Sequence, residues 1–334
     1  MSEPPLVVRL NARTVPLSDI ERRVLAPLTP RIVELEGATD DEIRTAARAA
    51  DALMVVSASL HGPVIADLAR CKVISRLGTG VDKIDVAAAT QRGIIVNNLP
   101  DAFTEEVADH TLALLLAAAR QLLPLDRATR QGQRPRDIAG FHRLAAQTVG
   151  LIGFGRIGRA VARRCRAFGL RVLAADPLLT PETAAREGVT AADLPALLAA
   201  ADYVCLLCPL LPTTRGLLAL PQFRQMKRSA VLINTGRGEL TNEDDLAAAL
   251  RDGLIRYAAL DVFGVVNVFR EGGFPTDHAL FQQDHVLLTP HVAAASAEAA
   301  VDCQRRGAQA VVDVLAGRWP EHAVNPEVKP WFAP

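Results

Sequence analysis

Three polar residues stand where short apolar runs end: Arg237 in Asn234-Thr235-Gly236-Arg237-Gly238, Asp261 in Leu260-Asp261-Val262-Phe263, and His291 in Leu288-Thr289-Pro290-His291. A guanidinium holds a carboxylate through two parallel charge-assisted bonds and polarises an adjacent carbonyl. An imidazole exchanges protons near neutral pH. Ligands of open α/β sheets bind beyond the carboxyl ends of strands, so three such residues at strand ends point to one crevice.

A dinucleotide-binding signal lies upstream. Gly153, Gly155 and Gly158 form G-x-G-x-x-G after the apolar run 149–152 and at the start of a helical pattern. The first glycine makes the tight turn, the second lets backbone approach a pyrophosphate, and the third lets helix pack on strand. The helix N-terminus adds free N–H groups and the positive end of its dipole. The next apolar run, 171–175, ends in Asp176, 23 residues beyond Gly153, where a carboxylate can accept bonds from the adenosine ribose hydroxyls. An acid there repels a 2′-phosphate, which favours NAD over NADP.

These residues need a scaffold, and the chain of 334 residues with 50% apolar content suffices for two cores. Short β-rich runs (7–10, 53–56, 73–75 and 94–97) alternate with helical patterns (40–50 and 62–69), and the alternation resumes at 148 with strands at 149–152, 171–175, 203–207, 230–234, 257–260 and 286–288. Such alternation implies parallel sheets with crossover helices, an α/β fold. Two long helical stretches, 104–122 and 296–315, are the connectors, and a polar, Arg-rich loop is expected over 127–143. Acids at Glu105 and Glu106 follow Thr104 as a weak helix start. The expected division is residues 104–296 as the nucleotide-binding domain and residues 1–103 plus 297–334 as a second, discontinuous domain.

Lys+Arg and Asp+Glu both number 37, so the net charge is zero and the chain lacks the footprint of a nucleic-acid or membrane-surface binder. No signal-peptide layout and no membrane-length apolar run is seen, so a cytoplasmic protein is expected. The five cysteines are scattered, and Cys205 and Cys208 point to opposite faces of a strand; no disulfide framework and no metal site are expected.

Six blocks in order, Ser75-Arg76-Leu77-Gly78-Thr79-Gly80-Val81-Asp82, Glu106-Val107-Ala108-Asp109-His110-Thr111, the glycine turn at 153, and those around Arg237, Asp261 and His291, resemble the D-isomer-specific 2-hydroxyacid dehydrogenases. The block from Phe103 to Leu114 is similar to the branch containing the C-terminal-binding proteins. The resemblance implies two doubly wound parallel-sheet domains, Rossmann-like and flavodoxin-like, with a cleft between them. It implies a homodimer formed through 104–122 and 127–143, and an NAD-dependent enzyme acting on a small 2-hydroxy or 2-oxo acid. By position, His291 would exchange the proton on the substrate oxygen and Arg237 would bind the 2-oxo acid. N–H groups around Thr79 and Gly80 would hold its carboxylate. Asp261 would contact the nicotinamide carboxamide, and Cys208 and Pro209 would line the nicotinamide ribose. Arg156, Ile157 and Thr235 complete the expected cofactor contacts.

One departure stands out. The family's Glu, five residues after the Asp, partners the catalytic His; here that place is Val266. Residues 264–273 also run longer than usual, and Glu271, followed by Gly-Gly-Phe-Pro, is the nearest acid. Either Glu271 partners His291 through this insertion or it sits solvated beside Arg270. Two other functions stay open. An NAD-sensing binding protein of the C-terminal-binding type would keep fold and cofactor with little turnover. A 3-phosphoglycerate dehydrogenase is disfavoured because residues 56–61 hold no Arg or Lys and the tail after 318 is short. Of the remaining histidines, His110 is expected to be structural or interfacial, and His61 follows a strand and could line the cleft.

Overall fold

The computed structural model describes residues 3–37, 39–134, 141–269 and 272–332. The chain divides into two units, Met1–Phe103 with Ala295–Pro334, and Thr104–Ala294.

The first unit holds β1 (Leu6–Arg9), β2 (Arg31–Glu34), β3 (Ala52–Val55), β4 (Val73–Arg76) and β5 (Ile95–Asn97), all parallel in the order β2-β1-β3-β4-β5. Its crossovers carry α1 (Asp19–Leu25), α2 (Asp40–Ala47), α3 (Gly62–Ala66) and α4 (Val86–Gln91). Both faces of this sheet are covered, because neighbouring residues of one strand enter different cores: Val8, Leu53 and Val55 pack in one, Val7, Ala52 and Met54 in the other.

In the second unit, α5 (Thr104–Ala119) and α6 (Leu122–Arg130) lead into β6 (Thr148–Ile152), α7 (Arg156–Ala167), β7 (Arg171–Ala175), α8 (Pro181–Glu187) and β8 (Thr190–Ala191). There follow α9 (Leu194–Ala200), β9 (Tyr203–Leu206), α10 (Leu220–Phe223), β10 (Val231–Asn234), α11 (Glu243–Arg251), β11 (Tyr257–Leu260) and β12 (Val286–Leu288). The seven strands are parallel in the order β12-β11-β10-β9-β6-β7-β8. From β6 the chain builds first to one side and then to the other, so the switch point lies between β6 and β9. The chain then returns to the first unit as α12 (Ala297–Leu315), capped by the Ser296 hydroxyl on the Ala299 N–H. Gly307 of α12 lies so close to β4 that a Cβ would stand 2.6 Å from Leu77, and its carbonyl accepts the Ser75 hydroxyl at 2.8 Å.

Several elements differ from the sequence expectation. The stretch 104–122 is not one helix: α5 stops at Ala119, Gln121 turns to φ 50°, and α6 starts anew at Leu122. The expected loop from 127 therefore begins as helix up to Arg130. Thr104 does not cap α5; its hydroxyl is buried without a hydrogen bond, so the start relies on Glu105 and Glu106. β2 and β8 give little sequence signal because both are short sheet-edge strands with no more than two consecutive apolar residues. α1, which the sequence reading does not place, starts with a capping box of Ser18 and Glu21. No helix among the described residues is long and apolar enough to cross a membrane.

Candidate functional site

Five consecutive strands of the second sheet, β6, β9, β10, β11 and β12, deliver their carboxyl ends to one edge, and each end carries expected site residues. After β6 comes the glycine turn. Gly153 has φ 100°, and a Cβ there would stand 2.6 Å from the backbone nitrogen of Cys208, two residues beyond β9. The two loops at the switch point therefore meet backbone to backbone, which only glycine permits. A Cβ on Gly158 would lie 2.5 Å from the Gly153 carbonyl, so this glycine closes the turn onto α7. At Gly155, by contrast, a Cβ would meet nothing within 4 Å.

That opening fronts the N-terminus of α7, a 12-residue helix whose N-cap Gly155 has no side chain to cap it. Arg156 is exposed and Ile157 half-buried in its first turn. Open space before uncapped helical N–H groups fits the pyrophosphate of a dinucleotide. Asp176 follows β7 and is half-buried; its carboxylate accepts the Phe154 N–H at 2.8 Å and the Leu178 N–H at 2.8 Å, one on each oxygen. One lone pair per oxygen is left for ribose hydroxyls. Cys208 is half-buried and its thiol is pushed up to about 11 by burial, while Pro209 is exposed. Cys205 is wholly buried, and all five cysteines are free. Among the described residues no group of three or more potential ligands is placed to hold a metal ion.

The turn after β10 is folded by Asn234, which is 1% exposed. Its amide donates to the Arg237 carbonyl at 2.9 Å and accepts the Gly236 N–H at 3.1 Å. Gly238 is required because a Cβ would fall 2.0 Å from the backbone of Phe263. The half-buried Arg237 guanidinium donates to the Gly236 carbonyl at 2.8 Å. Thr235 is buried beneath it.

Asp261, after β11, is fully buried and organises the loop after β12. Its carboxylate accepts the Thr289 hydroxyl at 2.6 Å, the Val292 N–H at 3.0 Å and the Ala293 N–H at 2.9 Å. Its carbonyl accepts the His291 N–H at 2.8 Å. Burial alone would raise its pKa; the His110 ring 3.5 Å away, the Thr289 hydroxyl and the two N–H groups outweigh burial and hold it below the usual value. Between these anchors His291 takes φ 58°, a left-handed conformation that a non-glycine residue holds only when its surroundings fix it. The His291 ring is half-buried and lies 5.0 Å, centroid to centroid, from Phe269.

Val266 is half-buried, and Glu271 lies outside the described residues. The start of that loop is fixed by Glu243, whose carboxylate accepts the N–H groups of Gly264 and Val265 at 2.9 Å each. Burial raises the Glu243 pKa despite those bonds.

In the first unit, the loop after β4 turns its carbonyls inward. Arg76 donates to the carbonyls of Leu77 and Gly80, Leu99 to that of Gly78, and Asn98 to that of Thr79. Among the described residues neither the Thr79 nor the Gly80 N–H is used within the chain, which leaves both as donors for an anion. His61 is exposed at the start of α3. Sequence reasoning missed Arg76, Asn234, Phe269 and the engagement of His110, whose Nε2 stands 3.0 Å from the Thr289 hydroxyl. For Asn234 the Asn-x-Gly spacing was an available signal; for His110 none was.

Residues 112–293 match the family model for the D-isomer specific 2-hydroxyacid dehydrogenase, NAD binding domain. The chain is 37% identical over 306 residues to the D-3-phosphoglycerate dehydrogenase of Mycobacterium tuberculosis, covering 89% of this chain and 57% of that protein. It thus spans little more than half the length of those relatives. It is also 37% identical over 264 residues to the glyoxylate reductase of Korarchaeum cryptofilum, covering 78% and 77% of the two chains. The structure of D-lactate dehydrogenase from Aquifex aeolicus, complexed with NAD and lactic acid, superposes with a TM-score of 0.82 at 26% identity over 93% of this chain and 96% of that one. Family model, relatives and fold coincide: this chain belongs to the D-isomer specific 2-hydroxyacid dehydrogenase family and carries its NAD-binding domain.

Proposed function

We propose that the protein is an NAD-dependent dehydrogenase of D-2-hydroxy acids, or reductase of 2-oxo acids. The observation that carries this reading is the alignment of Gly153, Cys208, Arg237, Asp261 and His291 at the carboxyl ends of five adjacent parallel strands. Bound NADH supplies the hydride. Gly153, Gly155, Arg156, Ile157 and Gly158 take the pyrophosphate and Asp176 the ribose. Cys208, Pro209 and Thr235 line the nicotinamide ribose, and Asp261 contacts the nicotinamide carboxamide. Arg237 binds the 2-oxo acid and stabilises charge on its oxygen, His291 exchanges the proton on that oxygen, and the Thr79 and Gly80 N–H groups hold the carboxylate. Turnover of NADH with a panel of 2-oxo acids tests this; NADH binding without turnover of any of them would favour the NAD-sensing protein instead.

Glu271 is assigned the partner of His291. A carboxylate partner favours the imidazolium, so Glu271→Gln should move the falling limb of the reduction pH profile to lower pH; an unchanged profile removes the assignment. The chain is read as a cytoplasmic homodimer. Free cysteines agree with a reducing compartment. None of the α6 residues is buried, including Leu122, Leu123 and Leu125, as expected of a helix that meets a partner copy. Light scattering at micromolar protein decides, and a monomer mass rejects the dimer.

Phosphoglycerate oxidation is a second reading. Residues 56–61 hold no cation themselves, yet Lys83 donates to the Ser57 carbonyl at 3.2 Å and brings one to them. Assay of 3-phosphoglycerate with NAD, beside unphosphorylated D-2-hydroxy acids, separates the two.

A further inference from the structure

Consecutive residues of α5 touch two different loops. His110 Nε2 lies 3.0 Å from the Thr289 hydroxyl, two residues before His291. The Thr111 hydroxyl lies 2.7 Å from that of Thr235, two residues before Arg237. Proton counting fixes the direction of both bonds. Thr289 has one hydroxyl proton and commits it to Asp261 at 2.6 Å, so toward His110 it accepts, and Nε2 carries hydrogen. Thr111 commits its proton to the Val107 carbonyl at 2.7 Å, so it accepts the proton of Thr235.

Thr111, Thr235 and Asp261 are buried, and the His110 side chain is 22% exposed. In such surroundings a lost partner is not replaced cheaply by water. The first chain of bonds runs from His110 through Thr289 to the Asp261 carboxylate, which also holds the Val292 and Ala293 N–H groups and so the left-handed turn at His291. The second runs from α5 to the Asn234–Arg237 turn. One rigid helix is thereby bonded to both loops through neighbouring residues.

We propose that His110 and Thr111 are positioning residues that set the placement of His291 and Arg237, respectively. The catalytic part of this rests on the function proposed above. Small misplacement of a reacting group is costly: about 1 Å can remove on the order of 10²-fold in rate.

The test uses His110→Leu, His110→Gln, Thr111→Val and Thr111→Ser in the full chain. Amide hydrogen exchange is read without cofactor, and steady-state kinetics are read with NADH and the best 2-oxo acid. His110→Leu should speed exchange in 289–293 and lower kcat by roughly 10- to 100-fold, with the KM for NADH within about twofold. His110→Gln, which keeps an N–H donor at similar reach, should recover most of both. Thr111→Val should speed exchange in 234–237 and raise the KM for the 2-oxo acid more than it lowers kcat, and Thr111→Ser should reverse this. The proposal is overturned if exchange in 289–293 is unchanged by His110→Leu, or if His110→Gln is no better than His110→Leu. Should the wild type turn over no 2-oxo acid, the functional reading falls, and the exchange data alone decide whether α5 holds the loops.

Discussion

The Phe269 ring packs on the His291 imidazole at 5.0 Å and an interplanar angle of 53°. The long loop after β11 therefore brings an aromatic ring to the residue assigned the proton transfer. Such a contact is worth about 0.5–1.5 kcal/mol beyond simple burial. Phe269→Ala should lower kcat for 2-oxo acid reduction roughly threefold to tenfold, through a less ordered imidazole. NADH affinity, followed by fluorescence, should hold. A kcat equal to wild type would mean that His291 is oriented without Phe269.

Arg237 and His291 should separate kinetically. Arg237→Ala removes charge stabilisation present in ground and transition states, so the KM for the 2-oxo acid rises and kcat falls. His291→Ala should act mainly on kcat, by roughly 10²- to 10⁴-fold. Intact turnover in the His291 variant would place the proton donor elsewhere.

Asp176 sets the nucleotide preference in this reading. The wild type should bind NADH more tightly than NADPH, because a 2′-phosphate would meet the carboxylate. Since Asp176 also holds the Phe154 and Leu178 N–H groups, Asp176→Ala should weaken NADH while narrowing its advantage over NADPH. Titration of both nucleotides checks this, and equal affinities in the wild type would defeat it.

Asp261 links stability to acid. Despite burial, the His110 ring, the Thr289 hydroxyl and the Val292 and Ala293 N–H groups hold its carboxyl below the usual carboxylate range, so the unfolded chain binds the proton more readily. The stabilisation is complete above about pH 5 and is lost as pH falls through the lowered native value. Asp261→Asn cannot accept all the N–H and O–H donors, and should cost roughly 1.5–3 kcal/mol at neutral pH while flattening the acid limb of the stability curve. Denaturant unfolding at pH 7 and in steps from pH 5 down to about pH 3 measures both; an acid limb as steep as the wild type's would assign the linkage to another group.

Much of the second sheet was legible because its strands are buried on both faces and read as continuous apolar runs, as in Val231-Leu232-Ile233. The glycine turn was legible because backbone contact with Cys208 leaves no room for another residue type at Gly153. What sequence could not disclose was long-range. Nothing near His110 announces Thr289, 179 positions away, and nothing near Glu243 announces the N–H groups of Gly264 and Val265. The break at Gln121 was hidden because Arg120 and Gln121 interrupt the apolar pattern for only two residues before Leu122 and Leu123 resume it.

The three glycines of the turn are unequal in a way that experiment can exploit. Gly153 and Gly158 are held by backbone that a Cβ would strike, so alanine at either damages the fold itself. Gly155 has an extended backbone, φ −75°, and empty space where its Cβ would be. Gly155→Ala should therefore melt like the wild type yet fill the room a pyrophosphate needs. Such a protein would be intact but blind to the nucleotide, a matched control for every measurement in which binding and folding are otherwise entangled. Wild-type NADH affinity in that variant would show that the dinucleotide does not approach α7 at Gly155.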